Sequence, residues 1–325
     1  MDPDRAFLER FDPYFVKIEK ELQNTYLSRI PIIEEIGRHS LLGKGKRIRP
    51  LLFILSSRLC GYSEENIYHI STMFEYVHCA SLLHDDVMDN AVMRRNKPSA
   101  SHIWGNSAAV LTGDYLSSKA TEIALETNNM ELFKVATDIS RRMIEGQFLE
   151  LINTDNWNIS KSDYMEIIAS KTAELMSAAC SCGAIISGTK KENRENLRKF
   201  GLNLGMAFQL VDDLLDYSSS EDKFGKPVCK DLKEGKTTLP LIYAILLMEK
   251  QEAKRLEELF QSHRADEKDF MYVVEFVRGS GVLEKIRAEA KTYVDRASDF
   301  LDIFPDSSYK KDLIFLNEYM AERQF

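Results

Sequence analysis

The 325-residue sequence is poor in residues that interrupt helices, with eight prolines and fifteen glycines. Long helices are thereby permitted, because proline removes a backbone donor and glycine costs helix stability. Cysteine is scarce as well. Cys60, Cys79, Cys180, Cys182 and Cys229 are odd in number and dispersed, without the paired spacing of a zinc site, so they read as reduced thiols. Long hydrophobic runs are missing. The longest, Leu239 to Met248, contains Pro240 and is about half of the roughly 20 residues needed to span a bilayer, which excludes a transmembrane segment. Residues 1–20 carry Asp2, Asp4, Glu9 and Asp12 and no apolar stretch, so no signal or transit peptide is expected and the protein is assigned to the cytoplasm. There is no basic excess either. Lys and Arg total 43 against 51 Asp and Glu, a net charge of -8, so nucleic acid is not an expected partner.

What is present is helical patterning. Hydrophobic residues make up 44% of the chain, enough for a sizeable core, and they recur at i, i+3, i+4 and i+7, as in Ile67, Ile70, Met73, Phe74, Val77, Ala80, Ser81 and His84. The pattern predicts helices over 3–25, 47–60, 64–90, 107–126, 130–152, 161–187, 191–217, 238–262, 267–279, 281–302 and 307–321. Turns such as Asn128-Asn129 and Ser187-Gly188 join them, and no run of alternating strands is evident. The expected fold is all-α, one large single-domain helical bundle over 1–325. Helices 64–90 and 191–217 are apolar on much of their circumference and belong at its centre. The polar stretch 218–236 reads as a mobile loop.

Both central helices end in aspartates: His84-Asp85-Asp86-Val87-Met88-Asp89 and Gln209-Leu210-Val211-Asp212-Asp213-Leu214-Leu215-Asp216. Spacing of i and i+4 puts Asp85 with Asp89, and Asp212 with Asp216, on one helix face. The C-terminal end of the helix dipole adds to their mutual repulsion, which only a cation relieves. Hard oxygen ligands with room for water suit Mg²⁺ holding a phosphate. Three basic clusters accompany them: Lys44, Lys46, Arg47 and Arg49 among glycines; Arg94 and Arg95 just after the first motif; and Lys223, Lys226, Lys230, Lys233 and Lys236 after the second. Each cluster alone reads as solvated charge. Beside two acidic motifs, they read as donors to a diphosphate.

In this order the motifs resemble those of the trans-isoprenyl diphosphate synthases, or polyprenyl synthetases. The elements are Gly45-Lys46-Arg47-Ile48-Arg49-Pro50, Leu83 to Asp89, Met93-Arg94-Arg95-Asn96-Lys97-Pro98, Gly113-Asp114-Tyr115-Leu116, Ser170-Lys171-Thr172-Ala173, Phe208 to Tyr217, Gly225-Lys226-Pro227 and Asp231 to Pro240. The resemblance implies an all-helical bundle around a central cavity, a homodimer, and head-to-tail condensation of an allylic diphosphate with isopentenyl diphosphate. It implies Asp85, Asp89 and Asp212 as ligands of Mg²⁺, three ions with substrate bound, with Asp86, Asp213 and Asp216 acting through water or in support. It assigns Arg94, Lys171, Lys226 and Lys236 to the allylic diphosphate, Lys46, Arg49, His78 and Arg95 to isopentenyl diphosphate, and Thr172 and Gln209 to the reacting centre. Metal ions and cations aimed at the leaving diphosphate lower the barrier to ionisation, and no protein nucleophile is needed. Water must be excluded, and the 218–236 loop is the candidate lid. His84, beside Asp85, reads either as a metal ligand or as a hydrogen-bond donor supporting the first motif, the second being favoured.

In the family a bulky residue one or two turns before the first aspartate stops the growing chain. Ala80 and Ser81 are small and Val77 moderate, so Phe74, eleven residues before Asp85 and roughly 16 Å along the helix, is the first candidate floor. If Phe74 packs on another helix face, Met143 or Phe148 sets the limit. The expected product is of hexaprenyl to octaprenyl length, the alternative a shorter chain of four or five isoprene units. A class I terpene cyclase is disfavoured by the second aspartate motif, and a non-catalytic regulatory subunit by the intactness of both. Two positions depart from the family pattern: Lys44 replaces the first glycine of a Gly-Gly-Lys-Arg, and Cys229 stands where glycine is common.

Overall fold

A computed structural model describes residues 3–25, 28–42, 45–218 and 229–322. It is almost wholly helical. In chain order the helices are α1 (Pro3–Thr25), α2 (Pro31–Leu41), α3 (Ile48–Leu59), α4 (Ile67–Met88), α5 (Ala100–Trp104), α6 (Asn106–Glu126), α7 (Met130–Ile152), α8 (Lys161–Ile168), α9 (Glu174–Ile186) and α10 (Lys191–Ser218). Then follow α11 (Lys230–Lys233), α12 (Leu239–Leu247), α13 (Lys250–Gln261), α14 (Glu267–Gly279), α15 (Val282–Asp299) and α16 (Ser308–Glu322). A minimal hairpin of β1 (Met93–Arg94) and β2 (Lys97–Pro98) interrupts them.

The chain forms two compact units. The first comprises Met1–Ser140, Leu175–Gly201 and Leu301–Ile314; the second comprises Arg141–Glu174, Leu202–Phe300 and Phe315–Phe325. In the first unit α4 lies along α6 and also packs on α3 and α1. Its core holds Phe7 and Phe11 of α1, edge to face at 5.3 Å, and Phe53 and Phe74, tilted at 5.1 Å. Such ring pairs add to the burial of apolar area. The second unit is built on the apolar α12, which contacts α8, α14 and α15, with Leu210, Leu214 and Tyr217 of α10 in its core.

Several elements depart from the periodicity. The helix expected over 161–187 contains a π-turn at Ala169–Ala173, which adds a residue to one turn and shifts the pattern without abolishing it. The helix expected over 238–262 breaks at Met248, whose ψ of 152° is extended. No Gly or Pro marks that break. It falls where an apolar helix gives way to an amphipathic one, and the change in character was its only sequence signal. Helix α2 was not expected, although Pro31 starts it at the position where a missing N–H costs nothing. Residues 230–233, expected in a mobile loop, form the helical turn α11; residues 219–228, including Lys223, Gly225, Lys226 and Pro227, lie outside the described residues.

Candidate active site

In the first unit Asp85 lies in the last turn of α4 and Asp89 is its C-cap, with its N–H donating to the Asp85 carbonyl at 2.8 Å. Helical period places Phe74, His78 and Ser81 on the side of Asp85 and Asp89. Burial follows the same division. Val77, His78, Ser81, Leu82, Asp85 and Asp89 are partly exposed, whereas Tyr76, Cys79, Ala80, Leu83 and Asp86 are buried. Asp86 therefore turns inward, and the Arg94 Nε and Nη2 both donate to its Oδ1, at 2.7 and 2.6 Å. Arg94, expected on a diphosphate, here serves a carboxylate. The hairpin delivers it: Arg95 and Asn96 form the two-residue turn with φ of 52° and 62°, as a tight hairpin matching strand twist requires.

Desolvation, and then the positive charges of Arg49, Arg95, Arg94 and Arg47, push the half-buried His78 imidazole well below the usual histidine range, which favours its neutral form. Lys46 pairs with Asp4 of α1 at 3.1 Å. Arg47 corrects the sequence reading of its cluster as phosphate donors. It is 3% exposed, and its guanidinium donates to Glu19 at 2.6 Å, Glu75 at 2.5 Å and the Leu41 carbonyl at 2.6 Å, so it ties α1, α2 and α4 together. Lys44 lies outside the described residues. His84 turns onto α6, with Nε2 3.2 Å from the Val110 carbonyl and 3.3 Å from Asp114. Ala80 is buried on the far side of α4, Ser81 donates to the His78 carbonyl, and Phe74 is fixed against Phe53 of α3.

In the second unit the carboxylates at the end of α10 have three different environments. Asp212 is partly exposed. Asp213 is 2% exposed and lies in a chain of hydrogen bonds: Thr172 Oγ1 donates to Gln209 at 3.0 Å, Gln209 Nε2 to Asp213 at 2.7 Å, and the Tyr164 hydroxyl to the other Asp213 oxygen. Asp216 receives the N–H groups of Lys230 and Asp231, both at 3.1 Å, and so caps α11. Burial raises all three of Asp213, Asp216 and Asp231, Asp213 to about 7; the charges of Asp212 and Asp216 add to Asp213, and those of Asp216 and Asp213 to Asp231. Cys229 has a φ of 64°, a conformation glycine adopts without strain, which accounts for the glycine usual there.

Lys171 and Thr172 sit in the π-turn. Gly146 of α7 and Gly205 of α10 flank it closely: a Cβ on the first would come within 2.8 Å of the Lys171 nitrogen, and one on the second within 2.5 Å of the Ala173 Cα. The extra residue of the turn aims Lys171 at Glu150, to which its Nζ donates at 2.8 and 3.0 Å. Lys236 donates to Glu234 at 2.9 Å and lies 3.6 Å from Glu150. Tyr164 and Glu150 escaped the sequence reading, which quoted Asp231 within a motif but gave it no role. Tyr164 precedes Lys171 by seven residues, two helical turns, which was the one available signal.

The residues suit a divalent metal ion. Each unit supplies hard carboxylate oxygens at a helix end; burial lifts Asp213 to about 7, and the nearby charges of Asp212 and Asp216 add to it. Among the described residues no three His, Cys, Asp or Glu side chains converge as a complete metal cage.

A polyprenyl synthetase family model matches residues 30–277. The octaprenyl diphosphate synthase of Haemophilus influenzae is 35% identical over 97% of this chain and 95% of its own length. Component 2 of the Bacillus subtilis heptaprenyl diphosphate synthase is 32% identical over 95% of this chain and 87% of its own. Among solved structures, a polyprenyl synthase of Caulobacter crescentus complexed with calcium and isoprenyl diphosphate is similar at a TM-score of 0.92 and 36% identity, covering 99% of this chain and 98% of that one. The chain belongs to the polyprenyl synthetase family and is a prenyltransferase of isoprenoid synthesis.

Proposed function

We propose that this prenyltransferase condenses an allylic diphosphate head-to-tail with isopentenyl diphosphate, giving a trans-polyprenyl diphosphate of hexaprenyl to octaprenyl length. One observation carries the reading: in each unit, carboxylates at a helix end stand beside cationic side chains held in place by neighbouring elements. Asp85, Asp89 and Asp212 hold Mg²⁺, three ions with substrate bound, and Asp86, Asp213 and Asp216 orient them. When bound, the metal neutralises charge on the departing diphosphate. Lys171, Arg94, Lys226 and Lys236 bind that diphosphate, and Arg94 also keeps Asp86 in place. Lys46, Arg49, Arg95 and the neutral His78 bind isopentenyl diphosphate. Thr172 and Gln209 face the reacting carbon with hydroxyl and amide dipoles. Phe74 packs on Phe53 of α3, so the limit on the growing chain passes to Met143 or Phe148.

The whole chain acts as one polyprenyl synthetase domain, a reading supported by a family match that runs through segments of both units. It works as a homodimer in the cytoplasm, in keeping with the apolar Leu111 and Leu125 exposed on α6; no helix among the described residues is long and apolar enough to cross a membrane. The relative named as component 2 motivates the alternative, a two-component enzyme.

The test is incubation with farnesyl diphosphate, radiolabelled isopentenyl diphosphate and Mg²⁺, followed by mass analysis of the dephosphorylated products. Label in a chain of six to eight isoprene units is expected. A cyclised, unlabelled product overturns the reading, and a labelled shorter chain overturns the expected length. Asp85→Ala should lower turnover by about three orders of magnitude or more, as loss of transition-state charge stabilisation does, with the melting temperature unchanged.

A further inference from the structure

Glu150 has no part in the roles above, yet it sits between two cations assigned to the diphosphate. Both of its oxygens accept from the Lys171 ammonium, at 2.8 and 3.0 Å, and Lys236 lies 3.6 Å from one of them. It is an inner carboxylate, its side chain 17% exposed, on α7 where Gly146 brings the π-turn against that helix. Lys236 also pairs with Glu234, which in turn pairs with Lys230 at 3.0 Å. Each carboxylate thus spans two lysines.

We propose that Glu150 is a built-in counter-ion that keeps Lys171 and Lys236 convergent in the unliganded protein and that an incoming diphosphate replaces it as their shared anion. The inference rests on the assignment of both lysines to the diphosphate. Two ammonium groups held this close repel one another, and a carboxylate between them offsets that cost. A diphosphate offers more oxygens and more charge than one carboxylate, so it prevails when it arrives. After the reaction the same carboxylate competes with the released inorganic diphosphate and favours its departure. Glu150 is a positioning residue, acting on substrate through the lysines, and it tunes affinity towards weaker binding and faster release.

A merely structural carboxylate and a competing one give opposite signs. The full-length chain, as wild type, Glu150→Gln and Glu150→Asp, is titrated calorimetrically with inorganic diphosphate, with and without Mg²⁺. Glutamine keeps the shape and removes the charge, so Glu150→Gln should bind inorganic diphosphate roughly tenfold more tightly, the scale of one unit charge a few ångströms away at a nearly water-like dielectric. KM for the allylic diphosphate and kcat should both fall, kcat because product diphosphate leaves more slowly. Aspartate is one methylene shorter and draws back from the lysines, so Glu150→Asp should fall between the two. Equal or weaker binding by a folded Glu150→Gln overturns the proposal. Should that variant not fold, Glu150→Asp decides alone, tighter binding supporting the proposal and equal or weaker binding refuting it. Wild type that neither binds diphosphate nor incorporates isopentenyl diphosphate would instead refute the functional reading on which the proposal rests.

Discussion

Asp213 shows what a single buried carboxylate can report. Its pKa is raised from 3.8 to about 7, first by burial and against the hydrogen bonds of Tyr164 and Gln209, so the folded chain takes up a proton there over a range in which the unfolded chain does not. A raised folded value means that its stabilising contribution is complete below about pH 4 and is lost as pH rises to about 7. In metal-free buffer, the urea stability of the wild type relative to Asp213→Asn should therefore decline by up to about 1.4 kcal/mol per pH unit across that window. A flat difference would show that the carboxyl is not desolvated. Tyr164→Phe removes a donor from the same buried group and should cost about 1–3 kcal/mol at pH 8, where Asp213 is ionised. The aspartates and Lys171 were legible as chemistry because residue type and i, i+4 spacing are local properties. Tyr164, 49 residues from Asp213, was not, since nothing local to either indicates the other.

At the scale of elements, the π-turn, the β1–β2 hairpin and α11 each aim functional side chains, and each is a break in regular structure. The π-turn relies on missing side chains at Gly146 and Gly205. Gly205→Ala would drive a methyl group into the Ala173 backbone at 2.5 Å, so the turn must move; an overpacking cost of about 1–3 kcal/mol is expected in denaturant unfolding, with a larger proportional loss of kcat. Unchanged kcat in that variant would mean that the turn does not set the position of Lys171 and Thr172. Asp216 does for α11 what the hairpin does for Arg94, receiving two backbone N–H groups and fixing the segment that leads to Lys236. The sequence reading placed long helices such as α4 well, because amphipathic periodicity over six turns outweighs the uncertainty of any one residue. It missed the π-turn and the break at Met248, because one inserted residue or one extended ψ leaves the average pattern intact.

At the scale of the whole molecule, metal and diphosphate should act as folding ligands. Mg²⁺ with inorganic diphosphate should raise the melting temperature, since only the native state presents the carboxylates and lysines that bind them. An unchanged melting temperature would contradict binding at these residues. Light scattering gives the assembly directly: twice the 37.3 kDa chain mass is expected for a homodimer, and a monomer that becomes active only with a second protein would favour the two-component alternative.

The sequence by itself determined the helical fold, the two aspartate motifs and the family, because periodicity, spacing and residue order survive without coordinates. Only tertiary structure decided that Arg47 is a buried tie and not a phosphate donor, that Arg94 serves Asp86, that Phe74 is fixed by Phe53, and that Glu150 stands between two site lysines. The reason is the same in each case. A charged or aromatic side chain carries its chemistry in its type, but its role depends on partners that no local spacing indicates, eight residues away for Arg94 and more than twenty for Glu75 of Arg47 and Glu150 of Lys171.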